Sequence, residues 1–197
     1  MRVRTVGVAL VVSLVGASMA RAQAPAQGRL LVRARAVYIA PNAESSPGGL
    51  DVKDDAVAEV DVSFFFTERI AAELVLATAG QEVMANGASL GTVSHLPPTL
   101  SLQYHFTPGR TVQPYVGGGV NYTNFYAKSG GLDGLSLTDS FGWAAQAGVD
   151  VRLAPRTILN IDAKYVQLDT DVMAGSAKAY HLDVNPVLIG VGLGYRF

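Results

Sequence analysis

Apolar residues occupy every second position in the last eleven residues of the chain, up to the final Phe197. Between them lie Leu188, three glycines and Arg196. Because successive side chains of a strand point to opposite faces, this period of two predicts a β-strand with one continuous apolar face. Chain termini usually fray into water. An apolar face that continues to the last residue therefore predicts that this face is covered by something other than water.

The same alternation recurs in seven earlier segments, so we expect eight strands. Short turns and longer polar or Gly-rich links alternate between them, which is typical of an up-and-down outer-membrane barrel with an even strand number. The predicted fold class is all-β, an eight-stranded antiparallel transmembrane β-barrel. The strand segments are Gly28–Ile39, Glu59–Phe66, Ile70–Val83, Leu96–Phe106, Gln113–Tyr126, Ser140–Leu153, Thr157–Thr170 and the terminal segment. The short turns are Thr67–Arg69, Thr107–Arg110 and Ala154–Arg156, and the long links lie near Ala40–Ala56, Met84–Val93, Ala127–Thr138 and Val172–His181.

A periplasmic β-sandwich would show the same alternation, with the apolar face as its core. Two features favour the barrel. The strands are longer than the roughly five or six residues usual in globular sheets. Aromatic residues also lie at the strand ends on the apolar face, where membrane-interface girdles are found. These aromatic residues are Tyr38, Phe66, Tyr104, Phe106, Phe141, Tyr165, Tyr195 and Phe197.

Residues 1–22 are predicted to be a cleaved secretory signal peptide, which leaves residues 23–197 as the barrel. Arg2 and Arg4 precede the apolar run Val6–Ala17 of 12 residues, and Ala20–Ala22 supplies a small-x-small cleavage site. The run is too short for a membrane-anchoring helix, which needs about 20 residues. Cleavage leaves 12 basic and 16 acidic residues, a formal charge of −4, and no basic patch that would suggest a nucleic-acid partner.

The composition narrows the function classes further. The chain has no cysteine, which excludes disulfides, thiol catalysis, thiolate metal sites and lipid attachment to a cysteine. Hydrophobic residues make up 49% of the chain, although no run after Ala22 is long enough for a transmembrane helix. An exported, hydrophobic chain of this kind is expected in the outer membrane.

Six segments resemble the OmpW family of small outer-membrane proteins, and together they cover most of the chain after residue 22. This resemblance implies a narrow, partly hydrophobic barrel that passes small hydrophobic molecules across the bacterial outer membrane, as is proposed for the related alkane-uptake proteins. Tyr195 and Phe197 resemble the C-terminal signal that the barrel-assembly machinery recognises. The segments are "GGLDV" (Gly48–Val52), "EVDVSFFFTERIAAELVLAT" (Glu59–Thr78), "LPPTLSLQYHF" (Leu96–Phe106), "PYVGGGVNYTNFY" (Pro114–Tyr126), "AQAGVDVRL" (Ala145–Leu153) and "GVGLGYRF" (Gly190–Phe197).

The inward face is expected to hold a charge network. Its five bases and five acids balance, as buried charges that pair with each other should. We interpret Asp150, Arg152, Arg196 and the nearby Arg33 as a plug on the periplasmic side, with an ion-selecting constriction as the alternative. The network comprises Arg33, Arg35, Arg152, Lys164 and Arg196 with Glu59, Asp61, Glu73, Asp150 and Asp162.

Apolar inward residues towards the long-loop end predict a vestibule open to the outside. Inward glycines, which include Gly119 and Gly142, either leave space within it or relieve crowding between strands. Some members of the family it resembles carry a bulky aromatic residue where Lys164 stands, so a tight hydrophobic gate is not expected at that level. The vestibule residues are Val37, Ile39, Val75, Phe125 and Leu188.

Proline supplies a candidate exit. Pro97, Pro98 and Pro186 lie near the long-loop ends of their strands and cannot donate to a β-ladder. Leu182 and Val184 are also out of phase with Val187. We therefore expect an incompletely hydrogen-bonded wall there, through which a hydrophobic solute leaves sideways into lipid.

Other functions compete with transport. A barrel of this kind also acts through its extracellular loops, as a receptor, adhesin or stress-related structural protein. Catalysis by a His181–Asp183 pair and metal binding by His95, His181 and Asp133 or Asp139 are weaker hypotheses, because no Ser–His–acid set is present. We expect no enzyme activity, metal or cofactor. The expected partners are outer-membrane lipid, the assembly machinery and small hydrophobic solutes, and the expected oligomeric state is a monomer.

Overall fold

The structure is a computed structural model that describes residues 28–46, 48–77, 79–128, 130 and 135–197. The predicted signal peptide and Asp133 lie outside the described residues. The described part contains fifteen strands. They are β1 Leu30–Ala40, β2 Glu44–Ser46, β3 Leu50–Val52, β4 Asp55–Phe65, β5 Ile70–Ala77, β6 Ala79–Ala85, β7 Ala88–Leu96, β8 Thr99–His105, β9 Val112–Lys128, β10 Leu135–Leu137, β11 Ser140–Arg152, β12 Thr157–Val166, β13 Asp169–Ala174, β14 Ala177–Asp183 and β15 Val187–Arg196.

Eight of these strands form a closed antiparallel barrel, as predicted. The order around the barrel is β1, β4, β5, β8, β9, β11, β12 and β15, and β15 pairs with β1 to close it. In the closing pair Val32 lies opposite Tyr195, and the Phe197 N–H donates to the Leu30 carbonyl at 2.8 Å. Closure satisfies the backbone of both terminal strands, which hydrocarbon could not do.

The seven other strands extend the barrel at its long-loop end. Most of β6 and the start of β13 fall within predicted strands, and the others fall largely within the predicted long links. The link near Met84–Val93 is mostly a hairpin of β6 and β7 that turns at Asn86 and Gly87, both with positive φ. In the same region β2, β10, β13 and β14 form a separate four-stranded sheet. The predicted long links therefore contain strands of their own. Asn-Gly is the preferred pair for a two-residue hairpin turn, and this signal was present in the sequence.

The predicted sidedness is confirmed in the barrel wall. Large apolar side chains at alternate positions face outward, for example Leu102 and Leu193 with 58% and 56% of their surface exposed. The polar residues between them point inward: Gln103 is 1% exposed and Asn160 is fully buried. Such a wall is inside out relative to a soluble protein and matches a barrel whose outer face contacts lipid.

Aromatic residues ring the outer face at two levels. At the short-turn end they form edge-to-face pairs, Tyr104 with Phe106 at 5.2 Å and Tyr195 with Phe197 at 4.9 Å between ring centroids. At the long-loop end Trp143 packs on Tyr165 at 5.1 Å. These two levels mark the membrane interfaces. No helix among the described residues is long and apolar enough to span a bilayer.

Candidate functional site

The centre of the barrel is filled by an ionic network around two arginines of β1. Arg33 is fully buried, and its guanidinium contacts three carboxylates on three other strands: Asp61 at 2.8 Å, Glu73 at 2.5 Å and Asp150 at 3.4 Å. Arg33 also donates to the Ser63 hydroxyl at 2.9 Å. Because Arg33 and Asp61 are direct cross-strand partners, the register of β1 and β4 brings them together.

Arg35 forms the second half of the network, one inward position further along β1. Its guanidinium donates to Glu59, its cross-strand partner, and to Asp162 at 3.0 Å. It also lies 3.2 Å from Asp61. Each buried carboxylate of the network therefore lies within ion-pair distance of at least one arginine, which buried charges require.

Neutral polar side chains complete this layer. Asn160 donates to Asp150 at 2.8 Å and to the Tyr115 hydroxyl at 3.1 Å, and Gln146 donates to Glu73 at 2.8 Å. Below them the ring of His105 stacks on Tyr115 at 5.0 Å. These side chains fill the cross-section of a barrel that is just wide enough to be filled by its own residues.

Of the three remaining predicted bases, Arg152 and Arg196 lie towards the short-turn end, and Lys164 lines the cavity described below. The Arg196 guanidinium lies over the Phe65 ring at 3.8 Å and donates to the Gly28 carbonyl at 2.7 Å. Arg152 is half-buried, and one of its guanidinium nitrogens has no hydrogen-bond partner among the described residues. The ion pairs around Arg33 and Arg35 thus form the centre of the plug, and Arg152 and Arg196 lie beneath it.

An apolar cavity lies on the other side of the network, towards the long loops. We call it the vestibule; its volume is about 590 Å³, including the part open to solvent. Glu59 and Lys164 of the ionic network are among its lining residues. Its apolar lining is Ile39, Val57, Val75, Ala77, Val166, Leu168, Val184 and Leu188, with Pro97 and Pro186, and its other polar lining is Gln81, Thr99 and Asn121.

Three of the five predicted vestibule residues line this cavity: Ile39, Val75 and Leu188. Val37 packs beside Ile39, and Phe125 packs higher, between the vestibule and the loops. Sequence reasoning missed Val57, Gln81 and Val166, although all three continue the inward parity of their strands. Gln81 and Val166 lie inside predicted strands, whereas Val57 lies before the predicted start at Glu59, since β4 begins at Asp55.

A second apolar cavity lies further out, enclosed by the strands that extend the barrel. This outer chamber has a volume of about 690 Å³, including the part open to solvent, and Leu182 lines it. Leu182 belongs to the same packed cluster as Val184 and Leu168, which line the vestibule. Apolar side chains therefore line the interior continuously from the loops to the ionic network. The other residues that line the outer chamber are Gly48, Gly49, Leu50, Val83, Ala85, Asn86, Leu90, Val93, Leu135, Leu137, Val172 and Tyr180.

The inward glycines relieve crowding and do not line the vestibule. A Cβ at Gly119 would lie 2.0 Å from the Leu100 carbonyl oxygen, and one at Gly142 would lie 2.1 Å from the Gln167 carbonyl oxygen. Any side chain at these positions would collide with a neighbouring strand. Of the two interpretations of these glycines, the structure supports close strand approach.

The prolines coincide with interruptions in strand pairing. Pairing of β5 with β8 reaches Val75 opposite Thr99, and pairing resumes beyond the prolines with Ala79 of β6 opposite His95 of β7. Pro97 and Pro98 lie in this interval, and Pro97 lines the vestibule.

The wall at Pro186 is bridged instead. Val166 donates its N–H to the Pro186 carbonyl at 3.1 Å, and Val184 donates to the Leu168 carbonyl at 2.8 Å. Leu182 and Val184 face inward like Leu188, because the chain changes direction at Asn185, which has a φ of 36°. The apparent loss of phase marks the junction of β14 and β15.

The catalytic and metal-binding hypotheses both involve His181, which the structure places beside two aspartates. His181 Nδ1 lies 2.6 Å from Asp171 and its Nε2 lies 3.7 Å from Asp183, on the outside of the barrel extension. Lys178 Nζ also contacts Asp171 at 2.6 Å. Among the described residues no group of three His, Cys, Asp or Glu side chains is arranged to hold a metal ion.

The contacts of Asp171 lead to a testable prediction about its pKa in the β13–β14 hairpin. Hydrogen bonds from Lys178 and then from His181 hold the pKa of Asp171 below its usual value. Since this pKa is lowered in the folded hairpin, its stabilising contribution is present above the ordinary aspartate pKa and is lost as the pH falls through the lowered value. We expect Lys178→Met to raise the Asp171 pKa, measured by NMR of the side-chain carboxyl. Lys53→Met, which removes the ion pair with Glu82 instead, is the control, and an unchanged Asp171 pKa in Lys178→Met would contradict the assignment.

Comparison with known proteins agrees with this architecture. The OmpW family model matches residues 26–197. The chain is 39% identical to the uncharacterized outer-membrane protein y4mB of Sinorhizobium fredii, over 77% of this chain and 70% of that protein. It is 32% identical to outer membrane protein W of Vibrio cholerae, over 87% of this chain and 89% of the relative. The crystal structure of OprG from Pseudomonas aeruginosa superposes with a TM-score of 0.72 at 26% identity, over 89% of this chain and 98% of OprG. With its closed barrel and lipid-facing surface, the chain is therefore a member of the OmpW family and a protein of the bacterial outer membrane.

Proposed function

We propose that this protein passes small hydrophobic molecules from outside the cell into the outer membrane. The observation that carries the proposal is an apolar route that ends on a plug. The outer chamber and the vestibule are lined by apolar side chains, and the ionic network around Arg33 fills the barrel beneath them. A solute that enters from the loops meets buried charges ahead and finds lipid only at the side.

The wall beside Pro97 and Pro98 is the exit that we favour. It adjoins the vestibule, and the ladder between β5–β6 and β7–β8 is interrupted there. Neither proline has an N–H with which to bridge the interruption. The wall at Pro186 is a less suitable exit, because Val166 and Val184 carry hydrogen bonds across it.

We expect a Pro97→Val, Pro98→Val double variant to take up a hydrophobic solute several-fold more slowly than the wild type. Valine restores two backbone donors and favours a continuous strand, which narrows the gap. The measurement is uptake of a graded series of hydrophobic and polar solutes by proteoliposomes. Pro155→Val, in a short turn at the opposite end of the barrel, is the matched control.

The outcomes separate the parts of the proposal. Uptake of hydrophobic solutes that is unchanged in a correctly folded double variant would rule out exit at these prolines. Uptake by wild-type proteoliposomes no faster than by empty liposomes would rule out transport and favour a receptor, adhesin or structural role through the extracellular loops.

A further inference from the structure

Two hydrogen-bond donors face the apolar vestibule without a protein acceptor. Lys164 of β12 lines the cavity, and among the described residues its amine has one ion pair, to Glu73 at 4.0 Å, and no hydrogen bond. Gln81 of β6 also lines the cavity and is 7% exposed. Its Nε2 has no hydrogen-bond partner in the part of the chain that the structure describes. A buried donor left in this state is costly unless a ligand or water completes it.

The other polar groups of the lining are already engaged. Glu59 accepts from Arg35, and the Thr99 hydroxyl donates to the Pro97 carbonyl at 3.4 Å. Asn121 donates to the Thr99 hydroxyl at 3.1 Å. The unmet hydrogen-bonding capacity that we identify in the vestibule is thus on the donor side, from one ammonium and one amide.

The acids beneath the vestibule raise the opposite possibility, a cationic ligand. Because Arg152 and Arg196 lie beneath it, the central part of the network has five acids but only three bases, Arg33, Arg35 and Lys164, and so an excess of negative charge. However, each acid already lies against an arginine: Arg35 contacts Glu59, Asp61 and Asp162, and Arg33 contacts Asp61, Glu73 and Asp150. A cation would find acceptors that are already occupied, whereas an anion finds Lys164 and Gln81.

We infer that the vestibule binds amphipathic molecules with an apolar tail and a carboxylate head, the head accepting from Lys164 and Gln81 while the tail lies along the valine, leucine and isoleucine wall. This inference rests on the proposed function and names its substrate class. A charged hydrogen bond is stronger than a neutral one. The carboxylate should therefore be preferred over a neutral head of the same tail length.

The test is binding to the whole protein in lipid nanodiscs at neutral pH, with empty nanodiscs to subtract partition into lipid. The probes are decanoate, decanol and decyltrimethylammonium, which share one tail and differ in the charge of the head. We expect wild-type protein to bind decanoate about tenfold or more tightly than decanol, as a charge-assisted hydrogen bond supplies. Decyltrimethylammonium should bind weakest.

Variants assign the preference to the two donors. In Lys164→Met the ratio of decanoate to decanol affinity should fall towards one, and Lys164→Arg should retain the preference. Gln81→Leu leaves the Lys164–Glu73 pair in place and should reduce the ratio by a smaller factor, so it tests the inference even if Lys164→Met does not fold.

Each remaining outcome overturns a defined claim. Decanol bound as tightly as decanoate by wild type, or the cation bound tightest, would overturn the carboxylate inference and leave transport of hydrophobic solutes standing. No saturable binding of any of the three probes would overturn both the inference and the proposed vestibule route.

Discussion

Replacing Arg33 with methionine is expected to cost the folded barrel about 3–5 kcal/mol, the usual cost of removing one partner from a buried ion pair. Arg33 is fully buried and is the cation nearest to Glu73 and Asp150, at 2.5 and 3.4 Å. Methionine has a similar length, so the change removes charge and hydrogen bonds rather than volume. The carboxylates would then remain in a low-dielectric interior with fewer donors.

The free energy of unfolding is measured by denaturant titration of the protein in lipid vesicles. Lys53→Met is the control, because the Lys53–Glu82 pair is exposed on the barrel extension and such pairs contribute about 0–1 kcal/mol. Equal losses in the two variants would show that the ionic network does not stabilise the barrel.

Leu102→Arg is expected to destabilise the protein in a membrane by about 2–4 kcal/mol, whereas Leu153→Arg should cost about 0–1 kcal/mol. Both leucines have 58% of their surface exposed, so their surroundings within the protein do not distinguish them. Leu102 lies in mid-strand on β8, above Tyr104 of the aromatic girdle, while Leu153 lies in the turn after β11. The difference therefore measures depth in the bilayer.

Reversible unfolding from vesicles provides both values, and the comparison of one substitution at two depths is its own control. Equal values at the two sites would contradict the assignment of the outward face to hydrocarbon. That result would also remove the basis for lateral exit, since no lipid would then lie beyond the wall.

The sequence alone predicted which side chains face inward, because a strand alternates strictly between its two faces. Parity placed Arg33, Glu73 and Asp162 inside and Leu102 and Leu193 outside, and the structure has them there. It also predicted the number of barrel strands and the strand pair that closes them. The same rule, continued back to two residues before Glu59, would have included Val57 in the vestibule.

Strand parity left the function of individual inward positions open. The inward glycines were equally consistent with open space in the vestibule and with crowding between strands. The pattern of a single strand does not reveal how close its neighbours lie. The structure shows Gly119 and Gly142 against the backbones of neighbouring strands. The hairpin at Asn86 and Gly87 is different, because its Asn-Gly turn signal is readable in the sequence, within the predicted link near Met84–Val93.

The period-two pattern by itself determined sidedness, because each residue's face depends only on its own strand. Tertiary structure alone decided the partners. Arg33 contacts Asp150, 117 positions away in the sequence, because the registers of the paired strands around the closed barrel place the two residues at the same height. It also decided that Lys164 and Gln81, on strands far apart in the chain, line one cavity. The pattern within one strand does not say how that strand is aligned with its neighbours. This register is what brings distant residues to the same height in the barrel.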